Sequence, residues 1–216
     1  MNCLFVTGTD TEIGKTVVTA CLAAAWRARG RSPKAIKPLA TGSAPPGEDA
    51  SIIAAAAGHA PTVFACLPEP ASPERAARQA RISIDDVGLT EWVRSQSGDP
   101  LLIEGVGGWC VPLTEAMTVE DMAMAVGAPV LVVAENKLGM INHTLLTVEA
   151  IRQCGLPVAG VVINHKEAPS QPLHRWNVED IRRWVGVETP VSVLGPIAND
   201  EAMGSAGEKL LAELRF

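Results

Sequence analysis

Residues 8–16 read GTDTEIGKT, the residue types and spacing that a polypeptide needs to grip a phosphate chain. Gly14 lets the backbone close on phosphate oxygens, Lys15 can reach the β- and γ-phosphates, and the Thr16 hydroxyl suits a magnesium ion. An apolar run at 3–6 precedes the loop. A helical pattern at 17–28 follows and would aim its amino end at the same anion. In the strict form of this motif Thr9 stands where the first glycine belongs, and Gly8 lies one residue early.

Three more polar groups fall at the ends of apolar runs, and a fourth stands where a loop turns into a helix. Glu104 closes the run at 100–103 and precedes Gly105, Val106, Gly107 and Gly108, placing it to hold magnesium directly or through water, or to serve as a loop carboxylate. Lys37 ends a second run, where it either faces solvent or joins Lys15 in bracketing a transferring phosphoryl group. Asp49 lies where the loop at 41–49 turns into a helix, as a cap or as a third metal-side ligand. Asn164 ends a fifth run, where its amide could read an adenine edge or form a turn.

The elements that must carry these groups are short. Apolar runs at 3–7, 34–37, 100–104, 130–134, 158–163 and 191–194 mostly lack alternation, as strands covered on both faces do. Helical patterns at 17–28, 49–57, 73–80, 84–95, 119–125, 141–154 and 178–185 lie between them. This order predicts one α/β domain, a mainly parallel sheet flanked by helices of the P-loop NTPase type, with ligands at the carboxyl ends of the strands. Residues 41–49 and 166–172 read as irregular loops.

The bulk properties narrow the partners. The chain has 216 residues, enough for one substantial core, and a formal charge of -6 without basic blocks, which argues against a nucleic-acid surface. The five cysteines are odd in number and widely spaced, suiting reduced thiols. Neither they nor the four histidines show zinc spacing. No run reaches the roughly 18 apolar residues of a membrane span, and no leader segment is evident, so the expected setting is cytoplasmic, with a small-molecule partner and no membrane.

Together with the phosphate loop, KPLATGS at 37–43, EDAS at 48–51, EGVGGW at 104–109, ENKLGMINHTLLT at 135–147 and GVVINH at 160–165 make the chain resemble the dethiobiotin synthetases. The resemblance implies an ATP- and Mg2+-dependent ligase of biotin synthesis that carboxylates 7,8-diaminononanoate with CO2 (or bicarbonate) and closes a cyclic urea. The implied course is an N-carbamate, its phosphorylation to a mixed anhydride, and ring closure by the second amine, giving dethiobiotin, ADP and phosphate.

By the same resemblance Lys15 and Lys37 would act on the phosphoryl group, with Thr11 and Thr41 at the reacting carbamate and amine ends. Thr16, Asp49 and Glu104 would hold magnesium. Glu12, Ile13, Gly14, Val17, Gly105, Val106 and Gly107 would surround the nucleotide, with Asn164, His165, Ala198 and Asn199 on its base side. Gly139, Met140 and Asn142 would receive the substrate carboxylate from the partner of a homodimer. The stretch PIAND at 196–200 departs from the family's proline-containing adenine segment. A second reading, a nucleotide-switched partition or targeting ATPase of the same superfamily, calls for an additional lysine near the start of the loop, where Thr9 and Asp10 stand.

Overall fold

The computed structural model describes residues 2–216. In chain order the elements are β1 (Cys3–Gly8), α1 (Lys15–Ala28), β2 (Lys34–Ile36), β3 (Leu39–Thr41), α2 (Glu48–Ala57), β4 (Ala65–Leu67), α3 (Pro73–Ala80) and α4 (Asp86–Ser95). They continue with β5 (Leu101–Glu104), α5 (Val119–Val126), β6 (Val130–Glu135), α6 (Met140–Gln153), β7 (Val158–Asn164), α7 (Pro172–Trp184), β8 (Val191–Leu194) and α8 (Asp200–Glu213).

Six strands form one sheet in the order β2-β5-β1-β6-β7-β8, with every pairing parallel. The central strand β1 shows why these segments are apolar throughout. Its even residues Leu4 and Val6 enter a core built with α1 and α8, while Phe5 enters the opposite core with residues of α4, α5 and α6. Both faces are covered, so alternation would leave polar groups without water. The chain runs from β1 out to the edge strand β2, returns through β5, and only then builds β6 to β8 on the other side. The crevice above β1 is therefore bounded by strands that depart in opposite directions, the place where such sheets bind ligands.

Several elements differ from the sequence expectation. A small parallel pair, β3 with β4, falls where no strand is expected, just before the loop read at 41–49 and after the helical pattern at 49–57. α7 starts at Pro172, with the proline in its first turn, six residues before the expected 178. α8 was not expected at all. Gly204 and Gly207 dilute its pattern, yet Gly207 is what permits its packing: a Cβ there would lie 2.0 Å from the Cys21 carbonyl oxygen of α1. At the end of α8 the Phe216 ring stacks on the buried Trp26 of α1, with centroids 6.0 Å apart.

Candidate active site

Three neighbouring strands deliver the central side chains. Val6 of β1 is in register with Glu104 of β5, and Ile36 of β2 with Ile103, so Lys37 emerges beside Glu104 and the phosphate loop follows β1 next door. The Lys37 ammonium lies 2.7 Å from Glu104 Oε1 and 3.0 Å from Asp49 Oδ2, and it donates to the Gly105 carbonyl at 3.0 Å. The Thr16 hydroxyl lies 2.8 Å from Asp49 Oδ1 and 3.0 Å from Glu104 Oε1. Lys15, Thr16, Lys37, Thr41 and Asp49 all line one cleft of about 660 Å³.

These contacts decide between the alternatives left by the sequence. Lys37 is only 3% exposed and Glu104 is fully buried, so neither is a solvated loop residue. Gly47, not Asp49, caps α2, which frees the Asp49 carboxylate to face Lys37 and Thr16. Asn164 neither forms a turn nor holds its amide nitrogen free: Nδ2 donates to the Ile13 carbonyl at 2.9 Å, bracing the phosphate loop from β7. That brace explains Gly14. With φ at 97° a side chain would be strained, and a Cβ would lie 2.1 Å from Asn164 Nδ2. Glu12, at φ 54°, adopts a left-handed conformation that few non-glycine residues hold.

The electrostatics follow from burial and proximity. Burial, then the charge of Lys37, lowers the Lys15 amine to about 8, and its Nζ donates to the Asp10 carbonyl at 2.8 Å. Burial opposes charge on Lys37 as well, but Glu104 and Asp49 outweigh it and hold its pKa above the usual lysine value. Asp49 is likewise penalised by burial and held below the ordinary carboxylate range by Lys37 and Thr16. Among the described residues no three His, Cys, Asp or Glu gather as a self-contained metal site. The two carboxylates and one hydroxyl here are hard oxygen donors of the kind that bind magnesium together with water and phosphate. Glu104 Oε2, buried without a hydrogen-bond partner, fits that role.

Other expected residues lie farther out. Thr11, Glu12, Gly14, Val106 and Gly107 line the cleft; Ile13 is buried in the core and Val17 packs against it, which leaves them only main-chain groups to offer. His165 is buried against Asn136 and His174, and burial and then nearby His174 lower its pKa. Asn199 caps α8 by accepting from the Ala202 amide, which commits its side chain, and Ala198 beside it is exposed. Gly139 caps α6, Met140 is core, and Asn142 is exposed on the first turn of that helix. None of these three lines the main cleft. A second depression of about 560 Å³ lies between the loop and α6, lined by Thr11, Trp109, His143 and Leu146 among others.

Sequence reasoning missed the wall formed by Pro70, Ala71 and Ser72 after β4. The signal lay in the pairing of β3 with β4, which sets the loop after β4 beside the loop after β3, but strands of three residues leave little periodicity to read.

Residues 2–206 match a family model described as an AAA domain. The ATP-dependent dethiobiotin synthetase BioD of Rhodococcus jostii (strain RHA1) is 41% identical over 201 residues, covering 89% of this chain and 86% of that protein.

Proposed function

Because the chain belongs to the family of ATP-dependent dethiobiotin synthetases, we propose that it joins CO2 to both amines of 7,8-diaminononanoate at the expense of ATP, forming the cyclic urea of dethiobiotin. One amine adds to CO2 and loses a proton, giving a carbamate. A carbamate oxygen then takes the γ-phosphoryl group as ADP departs, which turns a poor leaving oxygen into phosphate. The second amine attacks the same carbonyl carbon and expels phosphate.

The observation that carries this reading is the meeting of Lys37, Lys15, Thr16 and Asp49 in one cleft, with the buried Glu104 carboxylate against Lys37 and Thr16 behind them. Lys37, kept charged by two carboxylates, lies where charge develops on the phosphoryl group in flight, and Lys15 takes the β/γ side. Fixed donors in a site of low exposure need no reorganisation as the reaction proceeds. Thr11 and Thr41 present hydroxyls along the same wall to the carbamate and amine ends. Thr16, Asp49 and Glu104 would hold Mg2+, which when bound neutralises charge on the β- and γ-phosphate oxygens. The nucleotide would meet main-chain groups of Gly105 to Gly107, with its base toward Asn164 and His165.

The first turn of α6, which no side chain caps and where Asn142 is exposed, is suited to a carboxylate. It lies outside the main cleft, which supports a seat for the substrate's carboxyl end supplied by a second copy of the chain. Leu138 and Leu146, 83% and 62% exposed on and beside α6, supply apolar surface for that contact.

The test is ADP release by purified protein with MgATP and bicarbonate, with and without the diamine. Turnover should require the diamine and should fall roughly a hundredfold in Lys37→Ala, the loss expected for one transition-state donor. Equal ADP release in both samples would overturn the assignment.

A further inference from the structure

Residues 58–64 leave α2 and run beside β2 on the open edge of the sheet. Pairing with β5 uses the Lys34 amide, which donates to the Pro100 carbonyl at 2.9 Å. Successive amides of a strand face opposite sides, so those of Ala35 and Lys37 point outward, where an unpartnered donor next to a buried site is costly. Both are taken. The Lys37 amide donates to the Thr62 carbonyl at 3.2 Å, and the Ala35 amide donates to Nε2 of the His59 imidazole at 2.9 Å. A side-chain ring thus stands where a seventh strand would offer a carbonyl.

The two ring nitrogens have fixed roles. Nε2 accepts and is unprotonated, so Nδ1 carries the proton and donates to the Ala60 carbonyl at 2.7 Å. His59 directly follows Gly58, the residue that ends α2 at φ 83°. The opposite end of α2 holds Asp49, 3.0 Å from Lys37 Nζ. One helix is therefore pinned to one strand at two points: the carboxyl end of α2 to the middle of β2 through His59 and Ala35, and the amino end of α2 to the residue just after β2 through the Asp49 and Lys37 pair.

We infer that His59 is a positioning residue for the reaction, a neutral hydrogen-bond acceptor that fixes α2 along β2 and so sets the Lys37 ammonium between Asp49 and Glu104. Its importance to turnover rests on the reading of Lys37 given above. The hydrogen bonds of His59 go to Ala35 and Ala60, not to the phosphate loop, which is carried by β1 and α1. Loss of the clamp therefore loosens the transferring end of the site and spares nucleotide binding. A displacement of Lys37 by a fraction of its hydrogen-bond length suffices, because charge stabilisation depends on donors already in place.

Leu and Lys cannot accept the Ala35 bond, whereas the carbonyl of Gln can. The variants His59→Leu, His59→Lys and His59→Gln separate the acceptor from bulk and polarity, and thermal melts confirm which are folded. In diamine-dependent ADP release, His59→Leu and His59→Lys should lose about tenfold or more in kcat with KM for MgATP within about twofold, and His59→Gln should recover most of kcat. Amide hydrogen exchange of residues 34–40 should quicken in Leu and Lys and stay slow in Gln. A kcat within twofold of wild type in the folded non-acceptor variants, or a Gln variant as slow as Leu, would overturn the inference. If wild type itself released no ADP with the diamine, the assigned reaction would fall, and unchanged exchange at 34–40 across the variants would be the separate result that removes the clamp.

Discussion

Lys15 and Lys37 occupy one cleft with opposite electrostatic fates, and the difference is a matter of neighbours. Lys37 has two carboxylates at hydrogen-bond distance and stays charged. Lys15 has only a carbonyl, and burial together with Lys37 brings it to about 8. In the free protein Lys15 therefore loses its proton as pH rises through 8, and a triphosphate then loses a cationic partner. KM for MgATP should climb by up to about tenfold per pH unit above that point, while kcat at saturating nucleotide changes less because the bound phosphates restore the charge. Lys15→Arg, always protonated, should flatten the rise even if its absolute activity is lower. A wild-type KM that stays level to a pH of about 9.5 would mean that Lys15 is not what titrates. At this scale much of the site was legible, because a lysine or carboxylate ending an apolar run has few places to go. Asn164 and Asn199 were not: an amide serves a loop carbonyl or a helix amide as readily as a base, and only the structure shows Ile13 and Ala202 taking them.

The elements show the same division. Strands covered on both faces announce themselves as apolar runs, and β8 was read with its observed bounds because 191–194 is flanked by Pro190 and Gly195. α8 was invisible because a helix that presses backbone to backbone needs glycine, which weakens the very pattern that marks a helix. Gly207 meets the Cys21 carbonyl so closely that any side chain must push α8 off α1, the helix whose first turn carries Lys15 and Thr16. Overpacking of this kind costs about 1–3 kcal/mol. For a chain of this size Gly207→Ala should lower Tm by roughly 3–10 °C, a shift that calorimetry resolves. A Tm equal to wild type would show that the two helices can part freely. The edge of β2 was likewise unreadable, since nothing in the spacing of His59 marks it as a surrogate for a strand carbonyl.

At the scale of the whole molecule, the placement of chemistry on the sheet is asymmetric. Loops from β1, β2 and β5 hold the phosphate chemistry, and the first turn of α6, reached only after β6, holds the proposed carboxylate seat outside their cleft. If, as proposed, a second chain presents its α6 to the carboxyl tail of the diamine, as in a two-fold dimer, the two ends of the substrate are held by different chains. Lys37 and Asn142 of a productive site then belong to different chains, and that separation has a numerical consequence. Lys37→Ala removes a phosphoryl contact, and Asn142→Asp sets a negative charge against the substrate carboxylate, so each variant alone should be nearly inactive. Mixed in equal amounts and allowed to exchange subunits, half of the dimers are hybrids, and each hybrid has one site with both native groups. Activity should return to about a quarter of wild type. If both groups of a site came from the same chain, no hybrid would contain an intact site, and the mixture would stay as inactive as its components.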